Sequence, residues 1–172
     1  MQTSYIITFI GDDRPGLVEQ LSSTIERNGG NWHESRLSQL GGKFAGLVLV
    51  SLPASGGPKL EADLKALSAS GLSVRVTSTS KATAAAEEGR NIRLSVIGPD
   101  RLGIVREISR ALASRNINVI EMDSHVSSAP MSAEMLFEAR IDAWIPESAN
   151  LDDLSDNLDD IANQMTLEIE WE

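Results

Sequence analysis

The chain has 172 residues, 15 Lys and Arg against 25 Asp and Glu, a net charge of −10 and a pI near 4.7. That balance excludes a module that neutralises nucleic-acid phosphates with clustered base, so no direct nucleic-acid contact is expected. The absence of cysteine excludes disulfides, thiolate nucleophiles and Cys-ligated metals; with no long apolar run and no signal peptide at Met1, a cytoplasmic protein with no membrane contact is expected.

Residues 5–10 are β-branched or aromatic and close at Gly11, the pattern of a buried strand. Asp13 or Arg14 then precedes Pro15, a residue suited to the first position of a helix, and Leu17, Leu21 and Ile25 with Val18 supply an apolar stripe. Asn28-Gly29-Gly30 ends that helix. Asn31–Leu40 and residues 44–52 read as strands joined by a tight turn at Gly41-Gly42. Residues 53–58 read as a loop. Leu60, Leu64 and Leu67 mark a second helix closed by Gly71, and 72–79 a fourth strand.

The segment Gly-Asp-Asp-Arg-Pro-Gly-Leu-Val at 11–18 returns 87 residues later as Gly-Pro-Asp-Arg-Leu-Gly-Ile-Val at 98–105. A repeat of that length is a small domain rather than a solenoid unit. The element order repeats with it. A strand carries Ile92, Leu94 and Val96, a helix carries Ile104, Val105, Ile108 and Leu112, and paired strands at 118–126 and 135–145 flank a loop at 127–134. Asn150 with Asp153 resembles a capping box ahead of a helix bearing Leu151, Leu154, Leu158 and Ile161, and 166–171 is the last strand.

These readings give an α+β protein of two ferredoxin-like βαββαβ sandwiches, 1–79 and 90–172, joined by a small, polar linker at 80–89. Cores of this size are marginal alone, so packing between halves or copies, hence a homo-oligomer, is expected. Ile6 and Ile10 point to the helix-free face of the first sheet, where the second half carries Arg93 and Ile97. An apolar bare face calls for a cover. After Arg140 there is no Lys or Arg while acids accumulate to Glu172. They form either a solvated helix face or a docking surface for a basic protein.

The repeated turn joins a strand to a helix N-terminus, where unpaired N–H groups and the helix dipole suit a small carboxylate. Gly16 and Gly103 would let a ligand approach the backbone. Asp13 and Asp100 suit an ammonium group, and Arg14 and Arg101 a carboxylate. Together these describe a free amino acid. The alternative is structural, with Asp as helix cap, Pro as first residue and Gly for close packing.

Asp-Arg-Pro-Gly-Leu-Val at 13–18 followed by Gly29-Gly30-Asn31, and Asp-Arg-Leu-Gly-Ile-Val at 100–105 with Asn116-Ile117-Asn118, resemble the ACT domain, a regulatory module of amino-acid metabolism. The match spans nearly the whole chain as two domains. The tandem arrangement, Gly42-Lys43-Phe44-Ala45 and Ala129-Pro130-Met131-Ser132 are similar to the glycine cleavage system transcriptional repressor family. The resemblance implies a ligand held where two domains meet, against Asp13, Arg14, Pro15, Gly16, Leu17 and Asn31 and against Asp100, Arg101, Leu102, Gly103, Ile104 and Asn118. Leu102 stands where the pattern prefers proline, which implies a looser second turn and a weaker second site.

The resemblance further implies a non-enzymatic sensor of glycine or serine that controls a partner protein, such as a LysR-type activator of glycine cleavage genes, without touching DNA. The alternative is a module for oligomerisation or docking, without a working ligand site, that regulates a metabolic enzyme. His33 and His125 fall at different registers, His33 aligning with Ile120, so no metal is expected. Glu34 and Glu121 align but read as solvated or salt-bridged. Trp32, Trp144 and Trp171 read as core or interface. No Gly-x-Ser-x-Gly elbow, P-loop or Gly-x-Gly-x-x-Gly is present, so neither a catalytic residue nor a cofactor is expected.

Overall fold

The computed structural model describes residues 1–79 and 88–172. The chain divides into two units, Met1–Thr83 and Ala84–Glu172. The first contains β1 (Gln2–Asp12), α1 (Leu17–Arg27), β2 (Asn31–Leu40), β3 (Lys43–Pro53), α2 (Gly57–Ala66) and β4 (Ser73–Thr79). Its sheet is antiparallel in the order β2-β3-β1-β4. The second contains β5 (Gly89–Pro99), α3 (Ile104–Ala113), β6 (Asn118–Ser128), β7 (Met135–Pro146), α4 (Leu151–Met165) and β8 (Glu168–Trp171). Its sheet repeats the order as β6-β7-β5-β8. Both are ferredoxin-like α+β sandwiches.

Strand alternation sends every second side chain to the helices. In the first unit Ile7, Phe9, Val48 and Val50 meet Leu21, Ile25, Leu60 and Leu64 in one core. In the second, Leu94, Val96, Ile141 and Ala143 meet Ile108, Leu112, Leu154 and Leu158. Neither core shares a residue with the other. Trp32 and Trp171 pack against the edges of their cores. Among the described residues no helix is long and apolar enough to cross a membrane.

Several boundaries differ from the sequence reading. The first helix starts at Leu17, not Pro15, and neither Asp13 nor Arg14 caps it, because Gly16 occupies the cap position with φ of 92°. The loop at 53–58 is shorter than expected. A 3₁₀ turn at Ala54–Gly56 leads directly into α2, with Pro58 in its first turn, where a missing N–H is harmless. The last strand starts at Glu168 rather than residue 166, since Thr166 adopts φ of 57° to close α4. The linker at 80–89 lies outside the described residues except for Glu88 and Gly89, and Gly89 opens β5.

The expected capping box at α4 is one-sided. Asn150 Oδ1 accepts from the Asp152 and Asp153 N–H groups at 3.1 Å each. The Asp153 carboxylate instead receives the guanidinium of Arg115, whose Nε and Nη2 lie 2.9 and 2.7 Å from Oδ2. Arg115 also donates to the Ala111 carbonyl and to Asn157 Oδ1, so it ties the end of α3 to the first turns of α4. Asn28 does the comparable work in the first unit, donating to Thr24 O and to Asp63 Oδ2 across α1 and α2.

Candidate functional site

Each repeated turn is pinned before its helix begins. The Asp13 N–H donates to the Gly42 carbonyl at 3.0 Å, and the Asp100 N–H donates to the Met135 carbonyl at 2.8 Å. The chain thus leaves the central strand, bonds the neighbouring hairpin and turns into the helix through a left-handed residue. Gly16 has φ 92° and ψ −1°, and Gly103 has φ 95° and ψ −1°. The two glycines share one left-handed conformation, although Leu102 stands where the first turn has Pro15. Leu102, like Pro15, presents its side chain to solvent, at 98% exposure.

The glycines are required by this conformation rather than by packing, since nothing lies within 4 Å of a Cβ built on Gly16. Gly16→Ala is expected to lower the stability of the first unit by about 1–2 kcal/mol through left-handed strain alone. Denaturant unfolding of the variant checks this.

The first intrahelical bonds run from Gln20 N–H to Gly16 O and from Glu107 N–H to Gly103 O. The N–H groups of Leu17, Val18 and Glu19, and of Ile104, Val105 and Arg106, therefore lack partners along the helix. No side chain caps either end, in contrast to α4 with Asn150. Both turns expose a donor cluster at the positive end of a helix dipole, an arrangement suited to a carboxylate.

The side chains around the turns divide. Asp13, Pro15, Asp100 and Arg101 are exposed, and Arg101 makes no hydrogen bond among the described residues. Arg14 is exposed but already engaged, its Nη2 donating to Gln20 Oε1 at 2.9 Å and to the Ser70 carbonyl at 3.4 Å. Lys43 bonds Asp12 beside the first turn and holds that carboxyl below its ordinary range. Leu17 and Ile104 point into their cores, 3% and 2% exposed, so only their backbone faces the turn.

Asn31 and Asn118 are not brought to the turns of their own units. Lys43 pairs with Asp12 at the turn end of the sheet, while Asn31 pairs with Ser51 at the other end. Eight residues along β3 span about 27 Å. The second unit repeats this, with Leu136 opposite Pro99 and Asn118 opposite Trp144. Nothing in the linear motif reveals this separation, which a ten-residue strand imposes.

The remaining candidates have local roles. His33 Nε2 lies 2.7 Å from Ser51 Oγ, and no carboxylate bonds His33 among the described residues. His125 Nε2 lies 3.5 Å from Glu138 Oε2, and Glu34 pairs with Arg36 at 3.0 Å. Among the described residues no three His, Asp or Glu side chains gather as a metal set.

Residues 3–77 match one model of the ACT domain and residues 92–143 match another. No curated protein matches the chain. A solved structure of a protein of unknown function from Galdieria sulphuraria is 27% identical over 100% of this chain and 98% of that one, with a TM-score of 0.88. A structure described as a candidate glycine cleavage system transcriptional repressor is 22% identical over 100% and 97%, with a TM-score of 0.72, a likeness of fold. Two family matches placed on two copies of one topology, each with its glycine turn, make the assignment: the chain belongs to the ACT-domain family as a tandem pair.

Proposed function

We propose that the protein is a non-enzymatic sensor whose ACT units bind a small amino acid, glycine or serine, and thereby control a partner protein. The observation that carries this reading is the pair of uncapped, glycine-led helix N-termini with matching backbone geometry. A ligand carboxylate would take the free N–H groups, and Asp13 or Asp100 would face its ammonium group.

Each turn lies at the opposite end of its sheet from its own asparagine, so within one unit the ligand is held at the turn, and it acts as a switch by preferring one conformation of the protein over another. The net charge of −10 supports regulation through a protein, such as a LysR-type activator, rather than through DNA. The resemblance to a candidate glycine cleavage repressor favours glycine as the first ligand to try.

Calorimetry of the full chain against the common amino acids tests the reading. Saturable heat with glycine or serine is expected, weakened at least about tenfold in a variant carrying Asp13→Ala and Asp100→Ala, which each remove a charge-assisted contact. Folded protein that binds none of them at millimolar concentration would sink it. That outcome favours a second reading, a docking or oligomerisation module regulating a metabolic enzyme, which the prior engagement of Arg14 by Gln20 and Ser70 supports.

A further inference from the structure

The helix-free faces of the two sheets, related by duplication, have diverged in chemistry. Pairing register makes Ile6 equivalent to Arg93, since each lies one residue before the core residue, Ile7 or Leu94, that opposes Val48 or Ile141. By the same register Leu47 corresponds to Arg140 and Leu49 to Asp142, while Ala45 corresponds to Glu138. At the edge, Arg75 opposite Thr8 corresponds to Glu170 opposite Ser95, and Ser73 to Glu168. The first face is mainly aliphatic on β1 and β3 but carries Arg36 and Arg75 on its outer strands, whereas the second is charged on β6, β7 and β8, with carboxylates outnumbering its two arginines.

The charged face is concave. A hollow of about 680 Å³ runs over β5, floored by Ser95 and Ile97. One wall carries Glu168 and Glu170 of β8, and the other carries Glu138 and Arg140 of β7, with Glu121 and Asp123 of β6 beyond. Arg93 is spent within the face, its Nε 2.6 Å from Asp142 Oδ1 and its Nη2 3.3 Å from Oδ2. The surplus is therefore strongly negative. The Arg140 side chain makes no hydrogen bond among the described residues and stands between the acidic columns, where its charge adds to that of Arg93 in favouring ionised Asp142.

We infer that this face docks an extended, Lys- and Arg-rich segment of a partner protein. A second copy of the same face would set carboxylate against carboxylate, which is repulsive. A purely aliphatic surface would bury these charges unpaired. A nucleic acid is repelled. A basic segment satisfies the walls, and its aliphatic stems lie on Ile97, which is 37% exposed. Its backbone carbonyls answer Arg140, a group that a simple polyamine would leave facing cations. The inference goes beyond amino-acid sensing and stands whether or not glycine binds.

The test uses the full chain and a short fluorescein-labelled peptide of alternating arginine and glycine, followed by fluorescence anisotropy at low salt. Glu168→Gln with Glu170→Gln removes two exposed wall charges and is expected to weaken binding by about tenfold. Asp159→Asn with Asp160→Asn removes the same charge from the exposed face of α4 and is expected to weaken it less than about twofold. Circular dichroism of both double variants should match the parent. Equal losses from the two pairs, or no loss from the wall pair, would overturn the assignment. So would displacement by spermine as effective as displacement by unlabelled peptide, which would identify a polyamine site.

Discussion

Leu94→Ala is expected to lower the stability of the second unit by about 3–4 kcal/mol, the usual loss when a fully enclosed leucine becomes a cavity in a core that cannot collapse. Leu94 has no exposed surface, pairs with Ile141 on β7 and with Trp171 on β8, and shares its core with α3 and α4. A domain of this size has only about 5–10 kcal/mol to lose. Hydrogen exchange read separately for each unit checks the prediction. Amides of β5, β7 and β8 should exchange faster, while those of β1 and β3 keep their protection, because the first unit's core contains none of the affected residues. Equal weakening in both units would mean that they unfold as one cooperative body.

The second large effect separates two glycines that the repeat makes equivalent. A Cβ on Gly98 would lie 2.7 Å from the Thr166 carbonyl and 3.1 Å from Leu167 Cα, both main-chain atoms that cannot move aside. On Gly11 the nearest contact is the end of the Leu72 side chain at 3.0 Å, with the Gly71 carbonyl at 3.3 Å. Gly98→Ala is therefore expected to cost about 2–3 kcal/mol, by forcing β8 and the end of α4 away from β5. Gly11→Ala should cost less than about 1 kcal/mol, because a leucine methyl can yield. Chemical denaturation of the two single variants decides it, and equal losses would refute the geometric distinction.

The strands and helices were legible because side-chain period reports burial directly. Residues 5–10 and 92–96 run apolar or alternate, and the stripes of Leu17, Leu21 and Ile25 and of Ile104, Ile108 and Leu112 turn up as buried helix faces. The start of the first helix differs because Pro15 is a strong local signal, while the φ of 92° at Gly16 goes with a turn that bonds the β2–β3 hairpin. Asp153 was read as a capping partner because Arg115, 38 residues earlier in sequence, is invisible to a local motif.

The candidate site was legible at the level of its backbone and not at the level of its side chains. Glycine in a strand-to-helix turn implies open N–H groups, and both turns have them. Whether Arg14 is available depends on Gln20 and on Ser70, the latter 56 residues away. Whether Asn31 lies near depends on which end of the sheet a strand begins. The charged hollow was hidden for another reason. Its columns come from four strands, and only the register aligns Glu170, Ser95, Arg140 and Asp123 into one row.

The second strand of each unit slips register at the same place, between Trp32 and Glu34 and between Val119 and Glu121. The displaced residue is His33 in one unit and Ile120 in the other. An extra residue of this kind stands outside the alternation that binds its neighbours to one face or the other. An imidazole that bonds Ser51 and an exposed branched alkane therefore occupy equivalent places while the ladder on both sides is the same. At that position the two units differ in chemistry without any trace in the fold.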